Sequence, residues 1–247
     1  MSQSTVTGAG PARTADPGQG RVFRTSRVVR SVDVTPAGRL RFDALARYLQ
    51  QAAEDDLADA GWAERYSWLV RRTAVAVRGY PAHRERVDLR TFCSATGPRW
   101  AERTTTLAGP GGDLIQATAV WVAIDAADGR PVPLGGTFHR VYGPSAGGRV
   151  VPARLSHPGP PDGAVGRPWP LRASDFDTAG HVNNSIHWAA VEDVLAGLDW
   201  LPRRAELEYH RPVLPGHAPE LVTGQAADRL AVWLCGDGQR LASAVIG

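Results

Sequence analysis

Apolar positions recur along the chain at two spacings, and the order in which the spacings alternate predicts the architecture. Arg27 to Val34 reads as a strand, and Thr35-Pro36-Ala37-Gly38 reads as a turn. Phe42, Leu45, Leu49, Ala52 or Ala53, and Leu57 then keep to one face of a helix that Gly61 stops. Four strand-like runs follow: Trp68 to Arg78, Arg86 to Ser94, Trp100 to Ala108 and Leu114 to Ile124. In the second of these, Val87, Leu89 and Thr91 alternate with Asp88 and Arg90, and Gly109-Pro110-Gly111-Gly112 turns the last pair. One helix wrapped by an antiparallel sheet is the simplest way to bury both faces of such a set.

Between Gly129 and Pro170 nine glycines and nine prolines fall within 42 residues, too many for regular structure, so a connection between two units is expected there. Val132, Leu134, Phe138 and Val141 give that connection apolar residues with which to pack on one unit. Beyond it the order begins again. Asp33-Val-Thr-Pro-Ala-Gly38 matches Asp175-Phe-Asp-Thr-Ala-Gly180 at an offset of 142. Trp68-Leu69-Val70-Arg71-Arg72 matches Trp200-Leu201-Pro202-Arg203-Arg204 at an offset of 132, and the Gly109 to Asp113 hairpin is echoed at Cys235-Gly236-Asp237-Gly238. Three correspondences in one order predict an internal duplication. The expected division is a disordered tail over 1–20, an N-terminal unit over 21–126, a linker over 127–166 and a C-terminal unit over 167–247.

The chemistry gathers in one stretch, Ser174-Asp175-Phe176-Asp177-Thr178-Ala179-Gly180-His181-Val182-Asn183-Asn184, which leads into the helix-spaced Ile186, Ala190 and Val194. Gly180 suits a turn position with positive φ, and Asn183 or Asn184 suits the first turn of a helix. Asp177 and His181 therefore flank a helix N-terminus, whose N–H groups favour negative charge. The first half carries Thr35 where the second has Asp177 and Arg39 where it has His181, so a single catalytic unit is expected, the C-terminal one.

Composition narrows the classes. With 43% hydrophobic and 21% charged residues the chain has a globular balance, and its 28 basic residues are all arginine, giving a net charge of +3. A mildly basic surface favours an acidic partner without requiring nucleic acid. Cys93 and Cys235 stand alone, which excludes a zinc cluster or a disulfide framework and points to a reducing, cytoplasmic setting. Residues 1 to 20 lack the apolar core of a signal peptide, and no run of 18 apolar residues predicts a membrane span. No metal, nucleotide or flavin motif appears, so no cofactor is expected.

The stretch from Ser174 to Asn184 resembles the signature of hotdog-fold thioesterases, Asp-x-x-Gly-His-Val-Asn-Asn before a long central helix. Taken whole, the chain resembles the plant-type and bacterial acyl-ACP thioesterases from about Arg27 onward. Tyr48-Leu49-Gln50-Gln51-Ala52-Ala53, Trp68 to Arg72, Tyr80-Pro81, Ala117 to Val122 and Leu207-Glu208-Tyr209-His210-Arg211 carry the likeness. The resemblance implies an α+β tandem hotdog: two long helices, each wrapped by an antiparallel sheet, with the sheets joined edge to edge. It implies hydrolysis of fatty acyl thioesters, with acyl carrier protein or acyl-CoA as the partner and a homodimer left open. It places Asp177 and His181 on catalytic positions. Two positions depart from the family pattern, Ala179 where asparagine is usual and Pro212-Val213 where an acidic residue or cysteine follows. Hydrolysis would then rest on Asp177 as base, on His181 to orient water or carbonyl, and on N–H groups around Gly180, Val182 and Asn183 to polarise the thioester. Glu192 or Asp193 would add a polar contact if it faced the pocket. His187 and His210 are expected to be packed or surface residues, and the cysteines core residues. A hotdog hydroxyacyl-thioester dehydratase and a non-catalytic acyl-carrier or acyl-chain binding protein are the alternatives; release of free thiol separates the latter from an enzyme.

Overall fold

The computed structural model describes residues 14–62, 67–125, 127–198, 200–226 and 229–247. Strands β1 (Phe23–Val28), β2 (Ser67–Val77), β3 (Arg86–Thr96), β4 (Trp100–Gly109) and β5 (Gly112–Ile124) surround helix α1 (Phe42–Asp59). After helix α2 (Gly136–Ala146) come β6 (Arg167–Pro168), helix α3 (Asn184–Leu195), β7 (Arg204–Tyr209), β8 (Glu220–Ala226), β9 (Arg229–Gly236) and β10 (Gln239–Ile246).

All ten strands form one antiparallel sheet in the order β1-β3-β4-β5-β2-β7-β10-β9-β8-β6. Outward from the centre the halves have the same order, β2-β5-β4-β3-β1 and β7-β10-β9-β8-β6, and β2 pairs with β7 from Arg72↔Glu208 to Ala76↔Arg204. This is the tandem hotdog that the duplication predicts. The helices pack on each other inside it. Phe42 and Trp188, both about 1% exposed, meet there with ring centroids 5.4 Å apart, and burying side chains of that size stabilises by roughly 1.5–3 kcal/mol each.

The 142-residue offset holds bond for bond. Asp33 and Asp175 each end a 3-10 turn and accept the N–H of Arg30 or Arg172 at 2.9 and 2.8 Å. Val34 bridges Leu40 and Phe176 bridges Val182. Gly38 and Gly180 take φ of 83° and 74°, and the helices begin at Phe42 and Asn184. The offset of 132 has no such counterpart: Trp68 lies inside β2, whereas Trp200 precedes β7.

Two elements differ from the sequence reading. The first strand covers Phe23–Val28, earlier than Arg27 to Val34, because the Asp33 carboxylate draws the chain into a turn in place of a ladder. The connection contains α2 despite its glycines and prolines. Gly135 starts the helix, Gly147 closes it at φ 57°, and Phe138 and Tyr142 pack on Trp62, Cys93 and Ala101. The linker is also fastened to the second unit. Fully buried Glu208 accepts the Ser156 and His157 N–H groups at 2.6 and 3.1 Å, and Trp233 Nε1 donates to the Pro158 carbonyl at 2.9 Å.

Residues 1–13 of the expected tail lie outside the described residues. Thr14 is paired with Gln116 through both its N–H and its carbonyl, at 2.8 and 2.9 Å, and Asp16 meets Arg90 at 3.3 Å.

Candidate active site

The turn that carries Asp177 and His181 is closed by its own backbone. Asp177 N–H donates to the His181 carbonyl at 2.9 Å, and Gly180 N–H to the Asp177 carbonyl at 3.0 Å. Asn183 N–H donates to Asp175 at 2.8 Å, and Val182 N–H to fully buried Val213 at 2.9 Å, so Val213 anchors the turn from behind. The donors that the sequence points to at Gly180, Val182 and Asn183 are therefore already paired. Asn183 Oδ1 caps α3 by accepting the Ser185 N–H at 2.9 Å. No acceptor among the described residues meets the Asn184 N–H, which stands first in the helix.

Asp177 is half-buried. One carboxylate oxygen accepts the Ala179 N–H at 2.9 Å, and the residue lines a cavity of about 440 Å³ together with Thr178 and Asn184. His181 sits in the same turn but outside that lining, and no hydrogen bond joins its ring to Asp177. The rest of the wall comes from the first unit and α2: Gln50, Ala53, Glu54 and Leu57 on α1, Trp68 and Trp121 on the sheet, Phe138 and Tyr142 on α2. The candidate acid/base residues thus come from one half, and most of the chamber wall comes from the other half and α2. The size falls within the range of small-molecule sites.

The twin loop of the first half is closed. Buried Glu192, on α3, crosses to α1 and accepts the Phe42 N–H at 2.6 Å through Oε1. Both of its oxygens also take N–H groups of Arg39, Oε1 at 2.9 Å and Oε2 in a shorter contact. Arg39 lies over the rings of Phe42 and Tyr80 at 5.7 and 5.6 Å. Burial lowers the Arg39 pKa, but its bonds to Glu192 more than offset this and hold it above its usual value. Glu192 thus supplies the cap that the side chain of Arg41 does not. Asp193, its neighbour, is exposed and accepts Trp169 Nε1 at 2.9 Å. Periodicity places Glu192 on the helix, but only the packing of the two halves reveals its partner.

His187 is packed. Its ring stands edge-on to Tyr209 at 5.2 Å, Nδ1–H donates to the Asn183 carbonyl at 3.3 Å, and burial pushes its pKa down to about 4. His210, half-buried beside Ser243 at 2.9 Å, is also pushed down to about 4, first by burial and then by nearby arginines. A histidine that stays neutral in the fold but titrates near 6.5 when unfolded leaves the unfolded chain holding more protons between those values, so stability falls as pH drops. Full stability from His187 is present above about pH 6.5 and is lost toward pH 4, a difference of roughly 3 kcal/mol. Urea midpoints should therefore fall from pH 7.5 to pH 5, and His187→Phe should flatten the fall; an unchanged slope would remove His187 as its source.

Burial raises the Cys93 thiol to about 11, and Cys235 is raised for the same reason, which suits neither to nucleophilic attack. Among the described residues one group, His157, Glu206 and Glu208, has the proximity of a cation site. Its atoms are already engaged: His157 meets Glu206 at 3.2 Å and Ser243 at 3.1 Å, while Glu208 holds the linker. Of the arginines matched at the offset of 132, Arg71 donates to the Tyr209 and His210 carbonyls and Arg203 to the Arg78 carbonyl at 2.6 Å, while Arg203 and Arg204 both stay exposed. No helix among the described residues is long and apolar enough to cross a membrane.

Comparison with known proteins agrees with the fold. Residues 20–140 match the acyl-ACP thioesterase N-terminal domain, and residues 162–231 match the acyl-ACP thioesterase C-terminal domain. Two relatives from Mycobacterium tuberculosis, strains CDC 1551 and H37Rv, are each 30% identical over 203 residues, 81% of either chain; both are uncharacterised proteins. The 12:0-ACP thioesterase from Umbellularia californica superposes with a TM-score of 0.79 at 22% identity, over 92% of this chain and 97% of that one. An acyl-ACP thioesterase from Bacteroides thetaiotaomicron gives 0.72 at 18% identity, over 91% and 96%. At these identities the likeness is one of fold.

Proposed function

The chain belongs to the acyl-ACP thioesterase family, and we propose that it hydrolyses fatty acyl thioesters, acyl-ACP first among them, to free acid and carrier thiol in the cytoplasm. The observation that carries this reading is the position of Asp177 on the wall of the cavity, which Asn184 also lines with an N–H at the start of α3 that no acceptor among the described residues meets. The acyl chain enters the chamber between α1, the sheet and α2, and the thioester carbonyl comes to rest at the N-terminus of α3. Asp177 accepts a proton from a water as that water attacks the carbonyl carbon. The oxyanion forms at the Asn184 N–H, where the helix dipole favours negative charge. His181 steadies the water or the carrier arm from the same turn. Collapse of the tetrahedral intermediate breaks the carbon–sulfur bond, and the thiolate leaves with the proton that Asp177 took. The first unit lacks both groups: Thr35 replaces the base, and Glu192 fills the helix end.

Thiol release from matched acyl-ACP and acyl-CoA substrates tests the reading. Surface charge attraction is screened within about 8 Å at physiological ionic strength, so KM for acyl-ACP should rise with salt more steeply than KM for acyl-CoA of the same length. Arg203 and Arg204, exposed at the start of β7, are the candidates for an acidic carrier, and Arg204→Glu should weaken acyl-ACP selectively. Equal salt dependence for both substrates would remove the carrier preference, and an absence of thiol release would remove the enzyme.

A further inference from the structure

We infer that Gln50 binds the reacting thioester, as a second donor to the oxyanion. The inference rests on the hydrolase reading above and adds to it a residue from the opposite half. Gln50 and Glu192 are counterparts, since 192 − 142 = 50 and each lies eight residues beyond the first residue of its helix, Phe42 or Asn184. From that position Glu192 crosses the helix pair and reaches the Phe42 N–H of the other half at 2.6 Å. Gln50, by the same relation, faces the Asn184 end of α3, and it lines the cavity with Asp177, Thr178 and Asn184.

The difference in chemistry decides the role. A carboxylate has only acceptors, so Glu192 fills the α1 N-terminus and leaves nothing to bind there. A carboxamide has two N–H donors. One of those on Gln50 goes to Glu54 at 3.0 Å, and the other has no partner among the described residues. That N–H and the Asn184 N–H point to one guest with negative charge on oxygen, which a thioester carbonyl becomes when water adds. Gln50 and Asn184 also line a second, narrow chamber of about 20 Å³ with Thr73, Tyr209 and Trp188, room for about one water.

The test uses Gln50→Leu and Gln50→Glu in the full chain, assayed for thiol release, with thermal unfolding to confirm that each folds. Loss of one oxyanion donor lowers kcat by about 10²–10³-fold in known cases, so Gln50→Leu should fall by that order with KM nearly unchanged. Gln50→Glu should fall at least as far near neutral pH and recover in part as the introduced carboxyl is protonated and regains a donor. A Gln50→Leu enzyme whose kcat stays within about threefold of the parent would overturn the inference. Should the parent itself release no thiol, the hydrolase reading fails separately, and the Asn184 backbone amide then decides. In Gln50→Glu its NMR signal must shift and its hydrogen exchange must slow, as a carboxylate settles on it; an unaltered signal overturns the placement of Gln50.

Discussion

Asp177→Asn should lower kcat by about 10²–10⁴-fold, the usual contribution of a positioned general base, and leave the unfolding temperature within a few degrees of the parent. The substitution is sharp because the side chain has two duties. One oxygen closes the turn by accepting the Ala179 N–H at 2.9 Å, and asparagine keeps that acceptor. What it loses is the basic oxygen at the cavity wall. A fall in activity with an intact turn therefore isolates the base from the scaffold. His181→Ala should also reduce turnover, whereas Thr35→Ala, at the twin position, removes only an acceptor for the Arg39 N–H at 3.2 Å and should leave kcat within about twofold. Equal losses at Asp177 and Thr35 would defeat the single-site mechanism.

The strands and long helices were legible because their apolar residues repeat with periods that few alternatives satisfy, as in Val87, Leu89 and Thr91 of β3. The duplication was legible because backbone geometry recurs with its residues: an aspartate that ends a 3-10 turn and a glycine at positive φ are needed wherever that loop is built. The α2 helix escaped notice since Gly136, Gly143 and Pro144 carry low helix propensity, and its stability comes from Phe138 and Tyr142 packed under β3. The location of the chamber escaped with it. Nothing local to Asp177 says that the cavity it lines is walled by α1 of the other half and by α2 of the connection. The N–H groups at Gly180, Val182 and Asn183, to which the sequence points, are already paired, because a turn this tight consumes its own N–H groups.

The same limit applies to Glu192, whose meaning depends on a contact across 150 residues of sequence, and this leads to the second large effect. Arg39→Leu should destabilise the fold by about 3–5 kcal/mol, since removing one partner of a buried ion pair leaves the other charged and without its counter-ion. For a chain of this size that is a fall of roughly 6–20 °C in unfolding temperature. Arg39 and Glu192 are only 11% and 9% exposed as side chains, so solvent does little to soften the loss. Glu192→Leu should be comparably harmful: it strands the Arg39 guanidinium and removes the cap from the Phe42 N–H as well. The double change to leucine should cost no more than either single change, because a pair of apolar residues carries no unpaired charge, which is a coupling of about 3 kcal/mol in the double-mutant cycle. Because this pair sits in the closed twin of the active site, each variant that remains folded should keep a kcat close to that of the parent. Additive losses in stability would show that Arg39 and Glu192 act independently, and a collapse of kcat in a folded variant would mean that the Arg39–Glu192 end of the helix pair takes part in the chemistry after all.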